Sequence, residues 1–381
     1  MSKAWPLVPL GEVVKHRKEF IRIGDLETYK RCRVQLHAKG IVLRDIVSGA
    51  EIKTKEQQVC RAGEFLVAEI DAKVGGFGVV PDDLDGSIVS SHYFLFEISQ
   101  EKLDRRFLDY FVRTSFFRDQ VAARGSTNYA AIRPQHVLQY QIPVPTLAQQ
   151  RRIVARIEKL AAKIDEARKI RLNIEKAQQL LLMAAYHRIA ENAPRQRLGE
   201  VAPLTRRPIP VDPEKEYPQI AVRSFGRGTF HKPPLVGREV TWQKPFFVKA
   251  GDILISNIKA WEGAIAVAAK EDDGRVGSHR YLTCVPEPSV VTSRFVCFHL
   301  LTPEGLYDIG EASPGSADRN RTLNSKALLQ IPIPVPHFER QVWFDQIYQR
   351  IDAARKLQAG IAIELDAMLP SILDKAFKGN L

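Results

Sequence analysis

The sequence predicts an α+β fold made of two pseudo-symmetric copies, each a strand-rich mixed α/β domain followed by one long helix. Three observations carry this prediction. The 381-residue chain repeats itself at half its length, the first part of each repeat is patterned as short strands, and the last part holds a long uninterrupted helical period.

The repeat is seen in landmarks that recur in one order. "LGEVV" at 10 to 14 returns as "LGEVA" at 198 to 202, and Gly63–Glu64 returns as Gly251–Asp252, both 188 residues later. "SHYFL" at 91 to 95 matches "SHRYL" at 278 to 282, Gly125–Ser126 matches Gly315–Ser316, and "IPVP" at 142 to 145 matches "IPVP" at 333 to 336. The shifts drift only between 187 and 191, so the chain is two copies of a unit of about 190 residues, each long enough to bury its own core.

Within each copy, short alternating or apolar runs such as "GEFLVAEI", "SIVSSHYFLFEI", "FFVKAGDILISNI" and "GAIAVAA" are punctuated by Gly, Asp and Pro, as strands are. One helix follows at "DRRFLDYFVRTSFFRDQVAAR", with a counterpart around "SRFVCFHLLTPEGLYDIGE". The resulting boundaries are a first domain over 1–145, a long central helix over 146–192, a second domain over 193–336 and a long C-terminal helix over 337–381.

After each "IPVP" the apolar period changes. Ile153, Ile157, Leu160, Ile164, Ile174 and Leu181 fall at steps of three and four in a span without Pro or Gly from 146 to 193. Phe344, Ile347, Ile351, Ile361, Leu365 and Ile372 do the same in copy two. A stripe sustained over this length asks for a partner helix, because a helix of roughly 60 Å at about 1.5 Å per residue outreaches its own domain. "IDEARK" at 164 to 169 matches "IDAARK" at 351 to 356 with a shift of 187, against 191 for "IPVP" just upstream. The second helix is therefore shorter by four residues, close to one turn, and its stripe stays on the same face. Pro370 within that helix is expected to kink or end it.

Composition narrows the function. No apolar run approaches a membrane span and the first residues lack a secretory h-region, which points to a cytoplasmic protein without a membrane partner. Cys32, Cys60, Cys284 and Cys297 are widely spaced, form no C-x-x-C pair and read as reduced core thiols. The net charge of +12, from 56 basic and 44 acidic residues, favours a polyanionic partner.

No Walker A, H-E-x-x-H, G-x-S-x-G or adenine-methyltransferase N-P-P-Y pattern is present, so neither a catalytic residue nor a metal ligand is assigned. Asp71 and Lys73 in "EIDAK" mimic a metal-nuclease triplet, but copy two has Lys259 in place of Asp71, and the paired carboxylates that Mg²⁺ needs are not retained.

Polar and basic loops are the candidate binding elements. "RGSTNYAAIRP" supplies Arg124, Ser126, Thr127, Asn128, Tyr129 and Arg133, and its counterpart "SPGSADRNRT" supplies Ser316, Arg319, Asn320 and Arg321. Lys30, Arg31 and Arg33 in "ETYKRCR" and Arg223, Arg227 and Lys232 in "RSFGRGTFHK" add cations among aromatics, joined by Lys73, His92, Lys259, His279 and Arg280. Arg and Asn can pair bidentately with base edges, and Ser, Thr and Lys commonly hold phosphates. Most such clusters in proteins are solvated loops. These differ between the copies far more than "IPVP" and the Gly-acid turn do, as two domains reading different half-targets on one scaffold would.

The chain resembles the specificity subunit of type I restriction-modification systems. The carrying residues are "GSTNYAAIRPQHVLQYQIPVPTLAQQRRIVARIEKLAAKIDEARK", then "IPVPHFERQVWFDQIYQRIDAARK" and "SILDKAFKGNL". "HFERQVW" departs from the family's leucine and paired glutamines. The resemblance implies two target recognition domains separated by two long helices that form an antiparallel coiled coil. It implies double-stranded DNA, two modification (methyltransferase) subunits and restriction (translocase/nuclease) subunits as partners, and a bipartite gapped target. This chain would be non-catalytic and bind no cofactor; S-adenosylmethionine, Mg²⁺ and ATP would sit on the partner subunits. Two alternatives stay open: a detachable specificity module of another restriction-methylation enzyme, and a metal-dependent nuclease.

Overall fold

A computed structural model describes residues 5–122, 132–240, 244–315 and 321–380. The chain divides into two compact units, residues 1–172 with 358–381, and 173–357. Each unit thus contains one strand-rich domain and a segment of both long helices, Leu147–Ala190 and Phe338–Phe377.

In the first unit a four-stranded antiparallel sheet runs in the order Val14–Arg17, Tyr93–Ile98, Phe65–Ala68, Phe77–Val79. A five-stranded sheet is ordered Phe20–Arg22, Glu56–Val59, Ile88–Val89, Thr28–Gln35, Gly40–Ser48. Its single parallel pairing sets Arg31 beside Ile88. The second unit repeats this plan: Ile253–Ser256 pairs Ile265–Val267 and Tyr281–Cys284, and the hairpin Glu216–Val222 with Thr229–Val236 joins the strand Val276–Gly277 in parallel at Gln219–Val276. Arg31 and Ile88, each advanced by 188, are Gln219 and Val276, so even the strand register is duplicated.

The recurrent landmarks have structural reasons. "IPVP" supplies a short strand that closes each domain on its own beginning: Gln141–Pro143 pairs with Leu7–Pro9, and Pro332–Pro334 with Arg195–Arg197. Ile142 and Ile333 in these strands are fully buried. The Gly-acid turn places Glu64 and Asp252 in the interior, where a lone carboxylate would be costly. Each is paired. Glu64 accepts from the Arg17 guanidinium and from the backbone N–H of Arg61 at 2.8 Å, and Asp252 accepts from Arg207 at 2.6 and 3.1 Å and from Lys249 N–H at 2.8 Å. The paired carboxylate holds the Arg17 guanidinium above its ordinary pKa.

The helix expected over 104–124 is two helices, Arg105–Phe111 and Ser115–Ala122, and its counterpart is Ser293–Leu300 and Pro303–Glu311. A threonine makes the break in both. Thr114 Oγ1 accepts from Phe117 N–H and Thr302 Oγ1 from Gly305 N–H, each restarting a helix as an N-terminal cap, with Pro303 at a first-turn position that needs no donor.

Both units contain an antiparallel helix pair. In the first, Ile157 clusters with Leu373 and Ala376 while Arg168 donates to Asp366 at 2.9 Å, so the partner number falls as the first rises. Phe377 completes that end, 5.0 Å from Phe107 and 5.3 Å from Phe111. In the second, Arg355 donates to Gln179 at 3.0 Å, and Tyr186 packs on Phe344 within a cluster that includes Leu182, Ile189 and Ile351. Arg168 and Asp366 become Arg355 and Gln179 under a shift of 187, taken in opposite senses along the chain. The duplicated helix therefore makes the same contact in both units, as self-complementary pairing requires.

Ile157, Ile164, Phe344, Ile351 and Leu365 are buried as a seam demands, and Ile153, Leu160, Ile347 and Ile372 are half-buried. Ile174, Leu181 and Ile361 are not seam residues: they are 41%, 53% and 50% exposed. A heptad register carried on from Ile164 passes through Arg171, Glu175, Gln178 and Leu182, which are the less exposed positions, so the central stretch of the seam is polar and apolarity alone points to the neighbouring stripe. The second long helix also continues through Pro370 to Phe377, although Asp366 C=O loses its helical donor there. All four cysteines are buried thiols, with Cys32 Sγ 3.6 Å from Cys60 Sγ. Among the described residues no helix is long and apolar enough to cross a membrane.

Candidate nucleic-acid interface

In each unit four backbone segments are tied together by the same hydrogen bonds, and most of the described candidate residues ride on them. In the first unit the loop joining Thr28–Gln35 to Gly40–Ser48 is bound to the helical turn Asp71–Val74, with His37 N–H donating to Val74 C=O at 2.7 Å and Ala38 N–H to Gly75 C=O at 2.9 Å. The turn is joined to the other two segments through Glu69, whose N–H donates to His92 C=O at 2.8 Å and whose C=O accepts from Ile132 N–H at 3.0 Å. Gly75 is required here: a Cβ on it would lie 2.5 Å from Ala38 N.

In the second unit the matching bonds are Phe225 N–H to Glu262 C=O at 2.8 Å, Gly226 N–H to Gly263 C=O at 2.9 Å, Asn257 N–H to Arg280 C=O at 2.9 Å and Leu323 N–H to Asn257 C=O at 2.7 Å. A common backbone frame thus displays different side chains.

On the first frame Glu69 gathers two of the sequence candidates. His92 Nδ1 lies 2.9 Å from one carboxylate oxygen and Arg133 Nη1 3.4 Å from the other, with His92 and Arg133 themselves largely exposed. Lys73 stands on the helical turn that follows Glu69 in sequence. Lys30 and Arg33 are exposed on the strand leading into the loop. Arg31 is engaged differently: Asp45 on the neighbouring strand accepts from it twice, at 2.7 Å each, which holds the Asp45 carboxyl below the usual carboxylate range. Arg31 is therefore a cross-strand partner in this structure, not a free cation.

The second frame is built on aromatic rings carrying cations. Trp261 has Lys259 5.2 Å and Arg321 5.4 Å from its ring centre, Arg227 lies 5.5 Å from the Phe225 ring, and Arg223 lies 4.9 Å from Phe230. Glu262 accepts from Lys259 at 2.8 Å and from Ser224 Oγ at 2.9 Å, which lowers its pKa, Lys259 being the larger cause. Arg280 and His279 follow on the adjoining segment, while Lys232 lies out along the hairpin strand, opposite Gln219. Arg124, Ser126, Thr127, Asn128, Tyr129, Ser316, Arg319 and Asn320 lie outside the described residues.

Sequence reasoning passed over Glu69, Glu262, Trp261, His37 and Phe225. The signal that finds them is the repeat itself: a shift of 188 sets His37 on Phe225, Glu69 on Asn257 and Lys73 on Trp261, all in the tied segments. No group of three or more His, Cys, Asp or Glu that could hold a metal ion occurs among the described residues. The frames present cations, amide and carboxylate groups and ring faces, the chemistry by which polyanions with flat bases are recognised.

Comparison with known proteins gives the same direction. The profile of the type I restriction modification DNA specificity domain matches residues 3–176. A 130-residue stretch is 26% identical to the specificity subunit of the type I restriction enzyme MjaVIII from Methanocaldococcus jannaschii, covering 33% of this chain. The matched stretch spans 31% of that curated relative. Two solved structures are similar along the whole chain: the HsdS subunit from Thermoanaerobacter tengcongensis, with 25% identity, 100% of this chain and 98% of that one covered and a TM-score of 0.59. The other is a chain from structural work on complex assembly and conformational transition of the type I R-M system, with 25% identity, coverage of 100% and 99% and a TM-score of 0.71. The chain is thus similar from end to end to an HsdS subunit and to a chain of the type I R-M system.

Proposed function

We propose that this chain is the DNA-reading specificity subunit of a type I restriction-modification complex. Each tied frame reads one half of a bipartite, gapped duplex target, and the paired helices dock two modification subunits and set the gap. One observation carries the reading: the two frames keep the same backbone bonds at corresponding positions and differ in the side chains they display, Glu69, His92 and Arg133 in one and Trp261, Lys259 and Arg321 in the other. A fold under selection for a single ligand has no use for such divergence on so constant a frame. Two half-sites of different sequence do.

The division of labour follows from what the side chains offer. Arg133 and Arg321 are suited to base edges or phosphates, and the remaining cations supply the salt-dependent attraction of a protein with net charge +12 for DNA. Adenine methylation, translocation and cleavage, with S-adenosylmethionine, Mg²⁺ and ATP, belong to the partner subunits.

The test is to co-express the chain with a modification subunit and sequence the host genome for methylated adenines. The reading expects a gapped two-part motif that disappears when this chain is left out. A motif that persists without it would reject the specificity role and leave the detachable-module reading.

A further inference from the structure

Among the described residues only four other than glycine have a left-handed backbone: His37 at φ 62°, Ala38 at 55°, Phe225 at 63° and Ser289 at 61°. Such a conformation is disfavoured for any residue with a Cβ and most of all for a bulky one. His37 and Phe225 are corresponding residues, 188 apart, at the tips of the two frames. Both are rings and both are exposed, Phe225 to 70%. Neither belongs to a hydrophobic core, so the side chains return nothing to the fold for the backbone strain.

The strain is imposed by the frame. The N–H of His37 and of Phe225 must reach the carbonyl at Val74 or Glu262, and the next N–H must reach Gly75 or Gly263, which over-determines the loop in both units. A rigid loop that holds an aromatic ring out into solvent, with Arg227 5.5 Å from its centre and Lys259 and Arg321 on the neighbouring Trp261, has the parts of a nucleic-acid wedge. The ring supplies a flat apolar surface to enter a base step, and the cations hold the flanking phosphates.

We propose that Phe225 is a wedge that inserts between adjacent base pairs of the DNA duplex in the half-target read by the second unit. The inference rests on the DNA-reading function above and adds to it that one domain locally unstacks its half-site. An exposed ring could equally press on a partner protein; the cationic surroundings favour DNA.

The experiment uses the complex of the full chain with its modification subunit and a synthetic duplex bearing the motif found by methylome sequencing, with 2-aminopurine placed at each position in turn. The wild-type complex should brighten the probe at one step in one half-site only. Phe225→Leu should keep the brightening, since an apolar side chain can still enter the step. Phe225→Asn suits a left-handed backbone, so the chain should melt no lower than wild type, yet the brightening should vanish and specific binding should weaken roughly 10- to 100-fold. Undiminished brightening with Phe225→Asn overturns the wedge, as does loss of the modification subunit from that variant's complex, which would assign the ring to a protein contact. Failure of the wild-type complex to prefer the motif over a scrambled duplex would instead reject the DNA-reading function itself.

Discussion

Gln150 and Gln341, 191 residues apart and fully buried, are one clamp used twice. Gln150 Oε1 accepts from Asp104 N–H at 2.8 Å, and its amide donates to Lys102 C=O at 2.9 Å and Pro145 C=O at 2.8 Å. Gln341 does the same with Thr292 N–H at 2.9 Å, Val290 C=O at 3.0 Å and Pro336 C=O at 2.7 Å. Each glutamine fixes the first turn of a long helix to its domain. The seam residues that follow, Ile157 and Phe344, are 187 apart, so the four-residue difference between the helices lies between clamp and seam.

The clamp predicts a local stability effect. Gln150→Ala or Gln341→Ala leaves buried backbone groups without partners, at about 1–3 kcal/mol for each one stranded. Hydrogen exchange should show loss of protection in the unit that carries the change and little in the other. Equal loss in both units, or none, would show that the clamp is not local.

A buried histidine predicts acid sensitivity in the second unit. His299 lies within the protein with Nδ1 2.6 Å from Tyr186 Oη, and burial, the leading cause, lowers its pKa from 6.5 to about 4. With the folded pKa depressed, its stabilising effect is complete above pH 6.5 and is lost as the pH falls toward 4. The melting temperature of wild type relative to His299→Gln should therefore fall as the pH is lowered from 6.5 toward about 4. A difference that does not change with pH would remove His299 from the acid response.

Half-site selectivity should separate by unit. Arg133→Ala should relax or weaken reading of one half-target and Arg321→Ala the other, by about 1–3 kcal/mol if the contact is bidentate to a base. Methylome sequencing of each variant reads this directly. A uniform weakening at all sites, with a smaller dependence on salt, would instead assign that arginine to phosphate.

Helix length should set the gap. The natural four-residue difference between the copies shows that about one turn can be lost while clamp and seam persist. Inserting four residues after Ile164 should lengthen the permitted gap and leave both half-site sequences unchanged. Altered half-sites with an unaltered gap, again by methylome sequencing, would contradict this.

Much of this was legible in the chain because the chain is written twice. A landmark that recurs at nearly constant spacing exposes what folding requires, and "IPVP", the Gly-acid turn and the "LGEV" start each proved to be a closing strand, a buried ion pair or a domain entry. The single helix expected in each domain was less legible. Thr114 and Thr302 look like ordinary helix-face residues until the capped N–H groups are seen.

The seam shows where apolarity misleads. Ile174 and Leu181 carry the stronger apolar signal, but a heptad is kept by geometry, and Arg171, Glu175 and Gln178 hold its positions. Likewise Arg31 reads as a free cation in "ETYKRCR" but is claimed by Asp45 across the sheet, a pairing set by strand register.

The sequence alone determined the duplication, the two mixed domains and the long helices, because these rest on periodicity and on residues that recur. Only the tertiary structure decided which residues face one another. The frames that unite His37 with Val74 and Phe225 with Glu262 are made by backbone hydrogen bonds between segments far apart in the chain, and backbone groups leave no mark in the identity of the residues that carry them.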